Sequence, residues 1–138
     1  MNKREIEKQI PIAIDLISEF IEDEKFFKKQ DKEFGQVPKE YKGYIANFGA
    51  SIIQSGLLAT VAFYEQNDSK SNADRKMLTK LILKTIYKNK KIGWKEDETL
   101  LNYVLVNDTK KIEKDVIDAA IAIKLAIRVF NFTENSES

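Results

Sequence analysis

Apolar side chains recur three and four residues apart along most of this chain, and alternating runs of the kind that build strands are scarce. The pattern predicts an all-α protein, a single-domain bundle of five to six helices spanning residues 1–138. Ile6, Ile10, Ala13, Ile14, Ile17, Phe20 and Ile21 share one face of a first helix, with Asp15, Glu19 and Glu22 opposite. Pro11 lies inside it and is expected to kink or restart it, because proline removes a backbone donor. Phe26 and Phe27 extend it by a turn.

A second helix, over 39–66 and opened by Pro38, is the least polar stretch: Tyr41, Tyr44, Ile45, Phe48, Ile52, Ile53, Leu57, Leu58, Val61, Ala62 and Phe63. It is placed through the middle of the bundle, with Phe63 as the foremost core position. Ala46, Gly49, Gly56 and Thr60 share one stripe with Ile53. Gly inside a helix costs about 1 kcal/mol relative to Ala unless close approach offsets it, so the stripe predicts a tightly crossing neighbour.

The polar segment 67–72 leads to a third helix over 73–89, with Met77, Leu78, Leu81, Ile82, Thr85 and Ile86 inward and Gly93 ending it. A short fourth helix over 96–106 carries Glu96, Asp97 and Glu98 in its first turn. Asn107 and Asp108 cap a fifth over 109–130, buried along Ile112, Val116, Ala119, Ile123, Ile127 and Phe130. The second and fifth helices are expected to be the most buried, and 133–138 to fray.

Composition removes whole classes of chemistry. With no Cys and no His among 138 residues, disulfides, thiol nucleophiles, imidazole bases and Cys/His metal sites are absent. No cofactor is called for. Met1 to Glu5 run into mixed charge rather than an apolar leader, and no apolar run approaches the roughly 18 residues that span a bilayer. The sequence is read as cytoplasmic, with no membrane partner.

The formal net charge of +1 conceals a strong polarity. Residues 70–95 hold nine basic side chains against one acid, Asp74, a net of +8 that the rest of the chain offsets. Lys76, Lys80, Lys84 and Lys88 recur every fourth residue and Lys91 follows three later, a ladder roughly 22 Å long with no Glu interleaved along it. Such a row suits a phosphate backbone, which lysine neutralises without reading bases; a solubilising face is the plainer alternative. Lys124 and Arg128 on the last helix complete the candidate RNA-backbone set. Ile117 and Ile121 lie beside them, off the main apolar face, and are candidates for a heterologous contact that stacks copies of the chain.

Three competing readings follow from the same residues. Glu19 with Glu22, and Asp115 with Asp118, are acid pairs of the kind that all-α pyrophosphohydrolases use to hold magnesium at nucleotides, although such pairs also arise on any exposed helix. A helical scaffold that binds only protein is a second reading. A helix-turn-helix regulator lacks a basic recognition helix here.

Ser55-Gly56-Leu57-Leu58-Ala59-Thr60-Val61-Ala62-Phe63 resembles a pattern of the small helical subunit of the Cmr-type (type III-B) CRISPR RNA-guided effector complex, an Asn-Gly-Leu followed by Leu-Ala-Phe. Gly56, Leu57, Ala62 and Phe63 match it; Ser55 replaces the Asn and Val61 the Leu. Ala119 to Ala126 and Arg128 resemble the family's small, apolar C-terminal helix and its closing Arg, while Leu125 and Ile127 stand where that signature has Trp and Lys. The resemblance implies a non-catalytic subunit, stacked in more than one copy beside other CRISPR effector subunits and helping to hold guide RNA and target RNA in antiviral defence. It supplies no RNA-contacting residues, so the site residues named above rest on charge alone.

Overall fold

The computed structural model describes residues 2–23, 36–66, 75–95, 97–107 and 109–132, and among them the chain forms six α-helices and one 3₁₀ turn, with no strand. Phe26, Phe27, the segment 67–74, Glu96, Asp108 and the tail 133–138 lie outside the described residues.

Helix α1 (Lys3–Glu22) opens on Asn2, whose Oδ1 accepts the backbone N–H of Arg4 at 3.1 Å and of Glu5 at 3.2 Å. It runs through Pro11 without the expected restart. Pro11 and Glu7, one turn before it, are both exposed, so the carbonyl left without a donor faces water.

The second predicted helix is two helices, α2 (Glu40–Ser55) and α3 (Leu57–Tyr64). Gly56 between them has φ 93° and ψ 161°, a conformation open essentially to glycine alone. No atom lies within 4 Å of a Cβ built at Gly49 or Gly56, so no helix crosses closely there and the glycine at 56 is required by the backbone instead. The break also explains Phe63. The buried positions of α2 are Tyr41, Ile45, Phe48 and Ile52, a stripe that an unbroken helix would carry on to 59 and 63. Gly56 slips the phase by one residue, so Leu57, Thr60, Val61 and Tyr64 turn inward. Phe63 is left 50% exposed, its ring under the Arg75 guanidinium at 4.4 Å.

The centre of the bundle is α4 (Arg75–Lys90), which packs against all five other helices. Eight of its sixteen residues are buried against four of sixteen in α2, which corrects the expected placing of the second helix. Thr79 and Thr85 turn their hydroxyls back onto the carbonyls of Lys76 and Leu81, so these buried polar groups cost little. Helix α5 (Leu100–Val106) starts later than predicted, capped by Thr99 accepting the N–H of Asn102. Asp97 and Glu98 therefore precede the helix. Helix α6 (Thr109–Ala126) passes into a 3₁₀ turn, Ile127–Val129, and lies mainly along α1 and α4.

The core gathers Phe20, Tyr41, Phe48, Leu78, Leu81, Ile82 and Ile123, all fully buried. Two long-range ties close the bundle. The Asn2 N–H donates to Asp118 Oδ1 at 3.1 Å, and the Val37 N–H donates to the Asn131 carbonyl at 3.0 Å within an isolated parallel bridge to Phe132.

Candidate nucleic-acid interface

Half of α4 is buried, and Lys76, Lys80, Lys84 and Lys88 lie on a part of it that reaches the surface, as Lys90 does on another side. The first four do not form a straight row. Each four-residue step overshoots a full turn by about 40°, so the ladder winds around the helix from the α3 end to the α1 side. Lys76 lies near Glu65, which follows α3. Lys80 borders a cavity between α3, α4 and the segment before α5. Lys84 is half-buried, its Nζ 5.7 Å over the Phe20 ring and 5.0 Å over the Trp94 ring. Lys88 is exposed and pairs with Glu19 at 3.7 Å, both side chains more than half exposed, so the pair contributes little.

Lys91 leaves the ladder. It has φ 59°, its N–H donates to the Lys88 carbonyl, and the next N–H, of Ile92, reaches back to Tyr87 at 2.9 Å. This is a Schellman closure with lysine in the left-handed place usually given to glycine. It ends α4 before Gly93, the residue expected to do so. The missing acids are supplied by the fold: Glu65, Glu98 and Glu19 come to the ladder from elsewhere in the sequence.

Lys124 belongs to another surface. It lines a groove of about 270 Å³ between α2 and α6 with Ile117, Ile121, Ala46, Gly49 and Ile53. Ile117 and Ile121 are half-buried on its floor, while Ile53 is 86% exposed at its edge. The small residues of α2 thus open a groove instead of admitting a crossing helix. Arg128 is exposed on the 3₁₀ turn.

The paired acids are engaged separately. Asp115 meets Lys90 at 2.8 Å, a contact that raises the Lys90 pKa, chiefly through the hydrogen bond. Asp118 accepts the Asn2 N–H, and Glu22 is exposed at the end of α1. Among the described residues no group of three or more acidic side chains is placed to hold a metal ion.

The cavity beside Lys80 was not signalled by periodicity. It holds about 300 Å³ and is lined by Trp94, Glu65, Asp97, Glu98 and Thr79 as well as Lys76 and Lys80. Trp94, the one tryptophan of the chain, packs edge-on against Tyr87, with ring centroids 5.6 Å apart. The Tyr87 hydroxyl bonds Glu98; burial first, and then this carboxylate, raise the tyrosine pKa. Glu65 Oε2 accepts the Leu101 N–H at 3.2 Å, yet burial outweighs that bond and pushes its carboxyl above the usual range. A lone tryptophan between Lys91 and Lys95 was the available hint.

Compared with known families, residues 17–120 match the model described as CRISPR-associated protein (Cas_Cmr5). No curated protein and no solved structure matches the chain.

Proposed function

The chain belongs to the Cas_Cmr5 family of CRISPR-associated proteins, and from that premise we propose that it is the non-catalytic small subunit of a cytoplasmic type III-B ribonucleoprotein effector, holding guide and target RNA by sequence-independent phosphate contacts in antiviral defence. The observation that supports RNA contact is the lysine strip of α4. The central helix packs against all five others, and the strip carries point charges that neutralise phosphate without selecting bases. Acids beside Lys76, Lys80 and Lys88 weaken the strip's field, so a single copy binds modestly and a row of copies adds contacts by multivalency.

Stacking of copies is assigned to the groove between α2 and α6, where Ile53, Ile117 and Ile121 present apolar surface beside Lys124. Ile53→Glu changes an exposed residue, so folding is kept while assembly along RNA weakens. Loss of the fold in that variant would remove this assignment.

The test of RNA contact belongs in the reconstituted effector. Lys80, Lys88 and Lys91 are changed to Gln; Lys84 is left in place because it packs on Phe20 and Trp94. Capture of unrelated target RNAs falls to a similar degree, and the slope of log affinity against log salt shrinks by roughly 0.7 per lost contact, about 2 for three. Unchanged capture and slope would mark the strip as a solubilising face. Purified protein given nucleoside triphosphates and magnesium shows no turnover; turnover abolished by Glu22→Gln would favour a hydrolase.

A further inference from the structure

The cavity beside Lys80 combines three things that a phosphate track does not need. It has an aromatic wall, Trp94; it has three carboxylates, Glu65 and Glu98 half-buried and Asp97 exposed; and it has two half-buried lysines along it, Lys76 and Lys80. About 300 Å³ is at the small end of pockets that enclose organic ligands. Carboxylates repel phosphate, so these three acids cannot serve the polyanion's backbone. A nucleobase attached to that backbone has the opposite requirement, a flat face to stack and N–H groups to donate.

We infer that this cavity receives one unstacked guanine of a bound RNA strand, its ring against Trp94 and its Watson–Crick edge toward the carboxylates, while the flanking phosphates meet the two lysines. The inference rests on the RNA-binding reading and adds base selectivity at one point of an otherwise indifferent track.

Guanine is chosen by counting donors along the edge. It presents a ring N–H and an amino group side by side, which a carboxylate accepts as a pair. Adenine and cytosine present one amino group beside a ring nitrogen whose lone pair a carboxylate repels. Uracil presents one N–H between two carbonyls. The expected order is guanine first, adenine and cytosine next, uracil last. The acids of the pocket are held in place to accept such a pair. Glu65 accepts the Leu101 N–H and is bonded as well by the Thr79 side chain and the Leu100 backbone, so the donor pair falls to Glu98, which the Tyr87 hydroxyl orients, beside Asp97. Lys84, seated over Trp94, fixes the ring in turn.

Since Trp94 is the single tryptophan, its emission reports the site directly. The purified full chain is titrated with guanosine, adenosine, cytidine and uridine monophosphates, and with oligouridylate with and without one central guanosine. Guanosine monophosphate quenches saturably and uridine monophosphate does not. The guanosine-bearing oligomer binds about tenfold tighter than plain oligouridylate, in line with one charge-assisted hydrogen bond that the uracil edge does not make. Trp94→Leu, followed by a labelled oligomer, abolishes that preference and leaves oligouridylate affinity unchanged. Glu98→Gln, which keeps Trp94, lowers the guanosine preference while the salt slope stays the same.

Equal quenching by all four nucleotides, or a preference that survives Trp94→Leu, would overturn the assignment. RNA affinity with no base preference would sink the pocket and leave the phosphate-track reading standing. Guanosine monophosphate binding without RNA binding would sink the track and leave a free guanine nucleotide as the ligand. A chain that binds neither would end both.

Discussion

Gly56 allows a test in which sterics and backbone strain give opposite answers. A Cβ built there meets no atom within 4 Å, so a methyl fits without a clash; the conformation, φ 93° and ψ 161°, carries the cost of Gly56→Ala. Holding an L-residue in so sparsely populated a region costs about 1 to 3 kcal/mol. Replacing glycine also restricts the unfolded chain, which returns about 0.4 to 1 kcal/mol. Gly56→Ala should therefore destabilise by roughly 1 to 2 kcal/mol, and Gly56→Leu by the same within about 0.5. Gly49, equally open but inside α2, should behave in the other direction: Gly49→Ala gains about 0.5 to 1 kcal/mol from helix propensity. Urea denaturation with an unchanged slope measures all three, and thermal melting should move by about 4 °C per kcal/mol. If Gly56→Leu costs several kcal/mol more than Gly56→Ala, or Gly49→Ala destabilises, a helix does cross at the small stripe and the reasoning from the broken helix fails.

Phe63→Ala should cost about 1 kcal/mol or less because the ring is half exposed, whereas Phe48→Ala, fully buried, should cost about 3 to 5 by chemical denaturation. Lys91→Gly should stabilise by about 1 kcal/mol, since glycine holds the left-handed closure of α4 without the penalty that lysine carries; a loss of stability would contradict the Schellman assignment. Glu65 has a folded pKa raised above 4.5, so the folded state holds its proton more tightly than the unfolded chain. Its contribution is present at low pH and is lost as pH rises from 4.5 through the folded value. Denaturation across that range should show Glu65→Gln gaining on the native chain as pH rises; a difference that stays constant, or shifts in the native chain's favour, would mean that burial does not dominate at this carboxyl.

Periodicity made α1, α4 and α6 legible because each keeps one apolar stripe from end to end. It did not distinguish α2 from α3, since Gly49 and Gly56 sit in similar apolar surroundings and only one of them breaks the helix. The residues that carry the family resemblance, Gly56 and Leu57, mark that break, and Phe63 is the position the resulting phase slip turns outward. Hydropathy also misplaced the centre. The α2–α3 stretch is the most apolar yet leaves Ile53, Leu58 and Phe63 exposed, while α4, rich in lysine, lies innermost because long stems carry its charges out past the neighbouring helices. For the candidate interface, the ladder was readable as a list of residues. Its winding and the acids from Glu19, Glu65 and Glu98 were not, because these depend on which distant segments pack on either side.

A central position for α4 has a consequence for the entropy of the proposed RNA capture. A loop bearing the same lysines would have to be ordered on binding, at about 1 to 2 kcal/mol for each residue fixed. On α4 the backbone of Lys76, Lys80, Lys84 and Lys88 is already fixed by the core beneath it, and only side-chain freedom remains to be lost. A helix packed against five others is also among the last parts of a domain to open, so the amide protons of its buried middle should exchange only with global unfolding. The backbone points that carry the charged side chains thus keep their mutual spacing through every fluctuation short of losing the fold.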